Sequence, residues 1–224
     1  MALEHRQQGS NAPGLFITFE GGDACGKTTQ LPLTAQWLVD REVELVRTRE
    51  PGGTQLGQQL RQLVLHGPDD VDPRCEALLY AADRAYHVAT VVRPALKAGK
   101  VVLQDRYFDS SVAYQGAARS LGTGEITDLN LWATGGLIPD VTVLLDLEPQ
   151  AALARRSGDF DRLEAEPLAF HERVRGQYLE LAKQWPDRFH VVDASGSVED
   201  VQQAIQAVLA PVVEAYLAQR GVQP

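Results

Sequence analysis

Gly21 to Thr28 read GGDACGKT and satisfy the pattern G-x-x-x-x-G-K-[ST] directly after the apolar run LFITFE and before a helical pattern. Gly21 and Gly26 permit a tight backbone turn that aims successive N–H groups inward, across Gly22, Asp23, Ala24 and Cys25, and the following helix adds its positive end. Lys27 would then place a charge on the β and γ phosphates of a nucleotide, and the Thr28 hydroxyl can ligate Mg²⁺. Such a loop binds a nucleoside triphosphate. Alone it leaves open whether the terminal phosphoryl group passes to water or to an acceptor.

Two further segments carry groups suited to the same chemistry: Arg47 to Thr54, RTREPGGT, and Asp105 to Gln115, DRYFDSSVAYQ. Asp105 follows the apolar run VVLQ, a strand-end position from which a carboxylate can hold Mg²⁺ directly or through water. Arg49, Arg61, Arg84 and Arg106 are planar donors suited to bidentate phosphate recognition. Cations gathered in one cleft of an otherwise acidic chain point to an anionic substrate.

The elements that must position these groups alternate between short apolar runs and long helical patterns, the signature of a parallel sheet covered by helices on both faces. Strands are predicted at Leu15–Glu20, Val43–Thr48, Lys100–Asp105, Val141–Asp146 and Phe189–Asp193. Helices are predicted at about Lys27–Arg41, Gln55–His66, Pro73–Ala98, Thr127–Gly135, Pro149–Arg156, Pro167–Trp185 and Ser197–Arg220, with Pro32, Pro94 and Pro211 as possible kinks. Ser197 followed by Asp200 resembles a capping box at the start of the last helix. In doubly wound sheets ligands bind beyond the carboxyl ends of the strands, so the three segments should meet in one cleft.

The 224 residues allow one domain or two small ones, and no linker or repeat after residue 14 marks a boundary, so residues 15–224 are read as a single domain preceded by a loose, polar tail. The net charge of −9 argues against non-specific nucleic-acid binding. Asp140, Asp146, Arg93 and Gln203 interrupt the most apolar stretches, which excludes a membrane-spanning helix. Two cysteines without a CxxC pair or a secretory pattern predict a cytoplasmic protein with neither disulfide framework nor structural zinc. None of His5, His66, His87, His171 and His190 falls in a ligand or triad pattern.

From Leu15 to about Ala207 the chain resembles the thymidylate kinase family. The resemblance is carried by FEGGDACGKTTQ at Phe19–Gln30, TREPGGT at Thr48–Thr54, LLYAADRAYH at Leu78–His87, DRYFDSSVAYQG at Asp105–Gly116 and DRLE at Asp161–Glu164. It implies a P-loop NTPase fold with a five-stranded parallel sheet and a short lid, and transfer of the γ-phosphoryl group of ATP to dTMP with Mg²⁺, forming dTDP and ADP. It places Arg106 between donor and acceptor phosphates, Arg49 and Arg84 near the acceptor, Asp23 near the acceptor phosphate and sugar, and Glu50 and Pro51 in the acceptor site. Tyr80 stands where the family stacks an aromatic ring on thymine, Gln115, Arg61 and Ser111 would make polar contacts in the thymidine pocket, and Tyr114 would crowd the 2′ position.

The family carries a catalytic arginine in either the phosphate loop or the lid. Ala24 fills the loop position here, so the charged stretch at 155–164 becomes the lid and Arg155, Arg156 and Arg162 its candidate cations, with Arg156 or Arg162 the expected catalytic one. Cys25 departs from the family's small, unreactive residue. It is either chosen for fit or, beside Lys27 and a helix N-terminus, reactive when ATP is absent. A homodimer is expected through the long helix of Leu78, Leu79, Val88, Val91 and Val92, residues that could equally be core. The alternatives are a deoxynucleoside kinase, for which several acceptor-side arginines would be superfluous, and a P-loop switch protein, for which no guanine-specifying motif is present.

Overall fold

The computed structural model describes residues 14–68, 70–155 and 161–220. The predicted 1–14 tail, apart from Gly14, and residues 156–160 of the predicted lid lie outside them. Among the described residues five parallel strands, β1 (Leu15–Glu20), β2 (Leu45–Arg49), β3 (Val101–Asp105), β4 (Val141–Asp146) and β5 (Phe189–Asp193), form one sheet in the order β2-β3-β1-β4-β5. The helices are α1 (Lys27–Val39), α2 (Gln55–His66), α3 (Pro73–His87), α4 (Arg93–Lys97), α5 (Phe108–Ser111), α6 (Thr123–Thr134), α7 (Pro149–Arg155), α8 (Leu168–Gln184) and α9 (Val198–Ala218).

The alternation of side chains along each strand sorts the apolar residues into two cores. Phe16, Val102 and Leu144 point to the face covered by α3 and α8, where they meet Tyr80, Phe170 and Tyr178. Ile17, Phe19, Leu103, Val143 and Leu145 point to the other face, against Leu31 and Leu38 of α1 and Ile205 and Leu209 of α9. Both faces of β1 are therefore covered, and its six residues are all buried. The sheet register aligns Phe19, Asp105 and Arg49 across three adjacent strand ends. The strand order reverses around β1, so the loop after it opens at the switch point where such sheets bind ligands.

The predicted Pro73–Ala98 helix is broken. Pro94 has no N–H for the carbonyl of Thr90, and the chain answers with a wide π turn over Val88–Val92 in which Arg93 N reaches back to Val88 O, before α4 resumes. Pro32 and Pro211 stay inside continuous helices. After Arg106 and Tyr107 the segment following β3 is helical, α5 followed by a π turn over Val112–Ala118, an element the sequence did not predict. Helix α6 starts at Thr123 rather than Thr127, and β2 begins at Leu45 rather than Val43. Ser197 caps α9 as expected, its Oγ accepting from Asp200 N at 3.1 Å, but the Asp200 carboxylate closes on that hydroxyl, which donates to Oδ2 at 2.7 Å, so the pair forms the N-cap half of the capping box. No helix among the described residues is long and apolar enough to cross a membrane.

Candidate active site

The three segments do converge. A cavity of about 820 Å³ runs along the carboxyl ends of the strands, and Asp23 to Thr28, Arg49 to Pro51 and Asp105 to Gln115 each contribute to its wall, as do all four arginines singled out from the sequence.

At one end lies the phosphate loop. Gly21 has φ +136°, and a Cβ there would come within 2.5 Å of Leu145 O, so both its backbone angle and its packing require glycine. Gly26 also has a positive φ and opens α1 as its N-cap. Lys27 Nζ donates to Gly21 O at 2.9 Å and Gly22 O at 2.8 Å and approaches Cys25 Sγ at 3.5 Å. Thr28, in the first turn of α1, is exposed into the cavity.

Cys25 is 2% exposed, packed beneath the loop with Phe19 and Leu145, whereas Cys75 is exposed. This burial favours the packing role over the reactive one. A thiol reagent should modify Cys75 readily and Cys25 slowly in the native protein, and both after denaturation. Native labelling of Cys25 at the rate of a free thiol would contradict this.

Arg106 occupies the middle of the cleft. Its backbone is left-handed, φ +62°, and its N–H bonds Phe19 O at 2.9 Å, so the residue turns sharply off the end of β3. One terminal nitrogen donates to Gly21 O and Ser110 Oγ at 3.1 Å and to Tyr178 OH at 3.3 Å; the other donates to Asp23 Oδ1 at 2.5 Å and Tyr114 OH at 3.3 Å. Tyr114 OH in turn donates to Asp23 Oδ2 at 2.8 Å. Beneath this network lies Glu20, which sequence reasoning missed inside a strand that reads as apolar. Its carboxylate accepts from Tyr107 N, Ser110 Oγ and Tyr178 OH at 2.7, 2.6 and 2.8 Å. Burial, with the charge of Asp109 second, pushes its pKa up to about 7.

The far end is built around Arg84, 2% exposed. It donates to Glu50 Oε2 at 2.6 Å, to Ser111 Oγ at 3.0 Å, to Tyr107 O at 3.2 Å and to Asn130 Oδ1. His87 bonds Glu50 Oε1 at 2.8 Å through Nδ1 and Thr48 Oγ1 at 2.7 Å through Nε2, so this histidine is a structural residue that anchors the segment after β2. That segment contains a cis Glu50–Pro51 bond, and Arg61 donates to Pro51 O at 3.2 Å. Arg49 is exposed and lines the cavity, Tyr80 is buried in its wall, and Gln115 donates to Glu76.

Asp83, 1% exposed beneath this loop, faces Gly52 N at 3.5 Å. Burial, then the nearby Glu50 charge, pushes its pKa up to about 6 from 3.8. Because the folded value is raised, the native state holds the proton that the unfolded chain releases, and stability falls as pH rises from about 4 to about 6. Asp83→Asn should remove that loss. Thermal melts should show the variant gaining on the wild type across this window, by about 1–3 kcal/mol, with a constant gap above it. A gap independent of pH would contradict the assignment.

The three arginines expected of the lid differ in placement. Arg155 lines the cavity and donates to Ala194 O at 2.9 Å and Ser195 O at 3.3 Å. Arg162 is turned away to Val64 O at 2.9 Å and Glu76 Oε2 at 2.5 Å. Arg156 lies outside the described residues.

A phosphate loop at the switch point of a parallel sheet, with arginines continuing along the cleft, defines a P-loop NTPase fold. Residues 19–205 match the family described as Thymidylate kinase. The chain is 59% identical over 203 residues, 89% of its length and 96% of the relative's, to a thymidylate kinase of Leifsonia xyli subsp. xyli. It is 54% identical to one of Gloeobacter violaceus, covering 87% of this chain and 94% of that one. The crystal structure of a thymidylate kinase from Ehrlichia chaffeensis superposes with a TM-score of 0.75 at 31% identity, covering 88% of this chain and 98% of that one. The chain belongs to the thymidylate kinase family and is a kinase.

Proposed function

We propose that this cleft transfers the γ-phosphoryl group of ATP to dTMP, giving ADP and dTDP, the reaction of the family to which the chain belongs. The observation that carries it is the position of Arg106, bonded at once to the carbonyl of Gly21 in the phosphate loop and to Ser110 and Tyr114 in the opposite wall. A guanidinium at that junction can meet both the phosphate that gives and the phosphate that receives.

The acceptor is a phosphate monoester with a second pKa of about 6, mostly a dianion at neutral pH, so its oxygen attacks in line without a strong general base. What the protein supplies is position and positive charge. On ATP binding Lys27 exchanges the carbonyls of Gly21 and Gly22 for phosphate oxygens, with the loop N–H groups from Gly21 to Thr28 around them. Asp23 holds Arg106 in register and, with Tyr114, faces the acceptor sugar. Arg49, Glu50, Pro51, Arg61 and Arg84 form the acceptor end, where Tyr80, Ser111 and Gln115 surround the base. The lid cation falls to Arg156 or Arg162, and Arg162 would have to leave Glu76 and Val64 to act.

Thr28 and Asp105 fit Mg²⁺: Asp105 Oδ1 is buried in the cavity wall with no hydrogen-bond partner, and the Thr28 hydroxyl opens into the same space. Bound there, the ion would neutralise phosphate charge. For the homodimer, Val88 and Val92 belong to the core, which leaves Leu78 and Tyr86 on α3 and Trp132 on α6, 57%, 46% and 83% exposed, as the apolar surface to cover.

ADP formation with dTMP, thymidine, other nucleoside monophosphates or no acceptor tests the reading. Turnover strongest with dTMP is expected. Turnover with thymidine but not dTMP would make the protein a nucleoside kinase, and acceptor-independent hydrolysis would leave only the phosphate loop.

A further inference from the structure

Glu76 takes no part in the reaction described above, yet it is a fully buried carboxylate at the junction of three segments. Oε1 accepts from Gln115 Nε2 at 2.8 Å, Oε2 accepts from Arg162 at 2.5 Å, and Arg119 approaches both oxygens at 3.5 Å. Two guanidiniums, Arg119 and Arg162, face two carboxylates, since Glu166 holds Arg119 from the other side at 2.5 Å. Its bond to Gln115 is the one with a consequence for the cleft, because Gln115 is 2% exposed and lines the cavity.

A glutamine amide has two ends of nearly equal shape and opposite hydrogen-bonding sense. Nothing in the side chain itself decides which end faces a ligand. A carboxylate flanked by two arginines offers acceptor oxygens only, so it can receive the NH₂ end of Gln115 but not the carbonyl end. The amide is thereby fixed in one of its two orientations.

We propose that Glu76 is the positioning residue that sets the base specificity of the pocket: by holding Gln115 Nε2 it presents Gln115 Oε1, an acceptor, to the acceptor base. An acceptor there pairs with the N3–H of thymine or uracil. It faces the bare N3 lone pair of cytosine, which leaves two buried acceptors opposed and unsatisfied. The inference rests on the dTMP reading of the cleft and adds to it the residue that selects the protonation pattern of the pyrimidine ring.

Glu76→Gln tests it. The new side chain keeps the size but can donate as well as accept, so Gln115 is free to turn. The ratio of kcat/KM for dTMP over dCMP should fall by about tenfold or more. The ratio for dTMP over dUMP should stay within about twofold of wild type, because both bases carry N3–H and differ only in a methyl group. A merely structural role would lower turnover with all three acceptors together. A dTMP/dCMP ratio unchanged in the variant would overturn the inference while leaving the reaction standing, whereas a wild-type protein that ignores dTMP would overturn both.

A second measurement needs no variant at Glu76. In the ¹⁵N–¹H spectrum of the wild-type protein, with the side-chain amide of Gln115 assigned by Gln115→Leu, the amide proton on Glu76 should exchange slowly with solvent and remain in place when dTMP is added. Solvent-like exchange of both protons would overturn the proposal.

Discussion

Arg106→Ala should lower the rate of dTDP formation by about a thousandfold in a protein that still folds. The guanidinium donates to five oxygens drawn from the phosphate loop, α5, the π turn and α8, and no other cation among the described residues is shared between the two halves of the cleft in this way. On the proposed reaction, charge that develops on the migrating phosphoryl group would meet Arg106, whose side chain is only 17% exposed, and a fixed cation so placed stabilises far more than one in water. The loss should therefore appear mainly in kcat. Alanine retains a Cβ, so the left-handed backbone gains nothing from the change, and Asp23, 18% exposed, can recover water. Turnover at saturating ATP and dTMP, with the thermal melt as control, checks this. A loss below about tenfold in a folded variant would remove Arg106 from the chemistry.

Arg84→Leu should cost about 3–5 kcal/mol of stability and weaken dTMP binding as well. It deletes every bond that Arg84 makes to Glu50, Ser111, Tyr107 and Asn130 and leaves the Glu50 carboxylate, 3% exposed, with the hydrogen bond to His87 Nδ1 as its remaining side-chain contact. Uncompensated buried charge is the dominant cost, so Glu50→Gln combined with Arg84→Leu should recover part of the loss. Urea unfolding of the single and double variants reads both effects. Strictly additive losses would mean that the pair contributes no mutual stabilisation.

The elements that hold these groups could be read from the sequence to different depths. β1, β3 and β4 are apolar runs ending in a charged residue, and GGDACGKT fixes the turn between β1 and α1 by glycine requirements that the backbone angles bear out. The stretch from Asp105 to Gln115 could be recognised by its residues but not by its shape. Its π turn leaves no periodic mark, since Ser111, Tyr114 and Gln115 at i, i+3 and i+4 look the same on an α-helix. Glu20, Glu76 and His87 were invisible for a different reason. Each is a lone polar residue in or beside an apolar pattern, and what it bonds lies tens of residues away in the chain. The π turn before Pro94 was half legible: proline announces an interruption but not how the chain resolves it.

The most direct measurement of the central claim follows the phosphoryl group itself. ATP labelled at the γ position, incubated with the wild-type protein, Mg²⁺ and dTMP, should pass its label to the β phosphate of dTDP, with little released as inorganic phosphate and none transferred in the absence of acceptor. Label appearing in inorganic phosphate at the same rate with or without dTMP would contradict the account, because the two halves of the cleft would then not be working on one phosphoryl group.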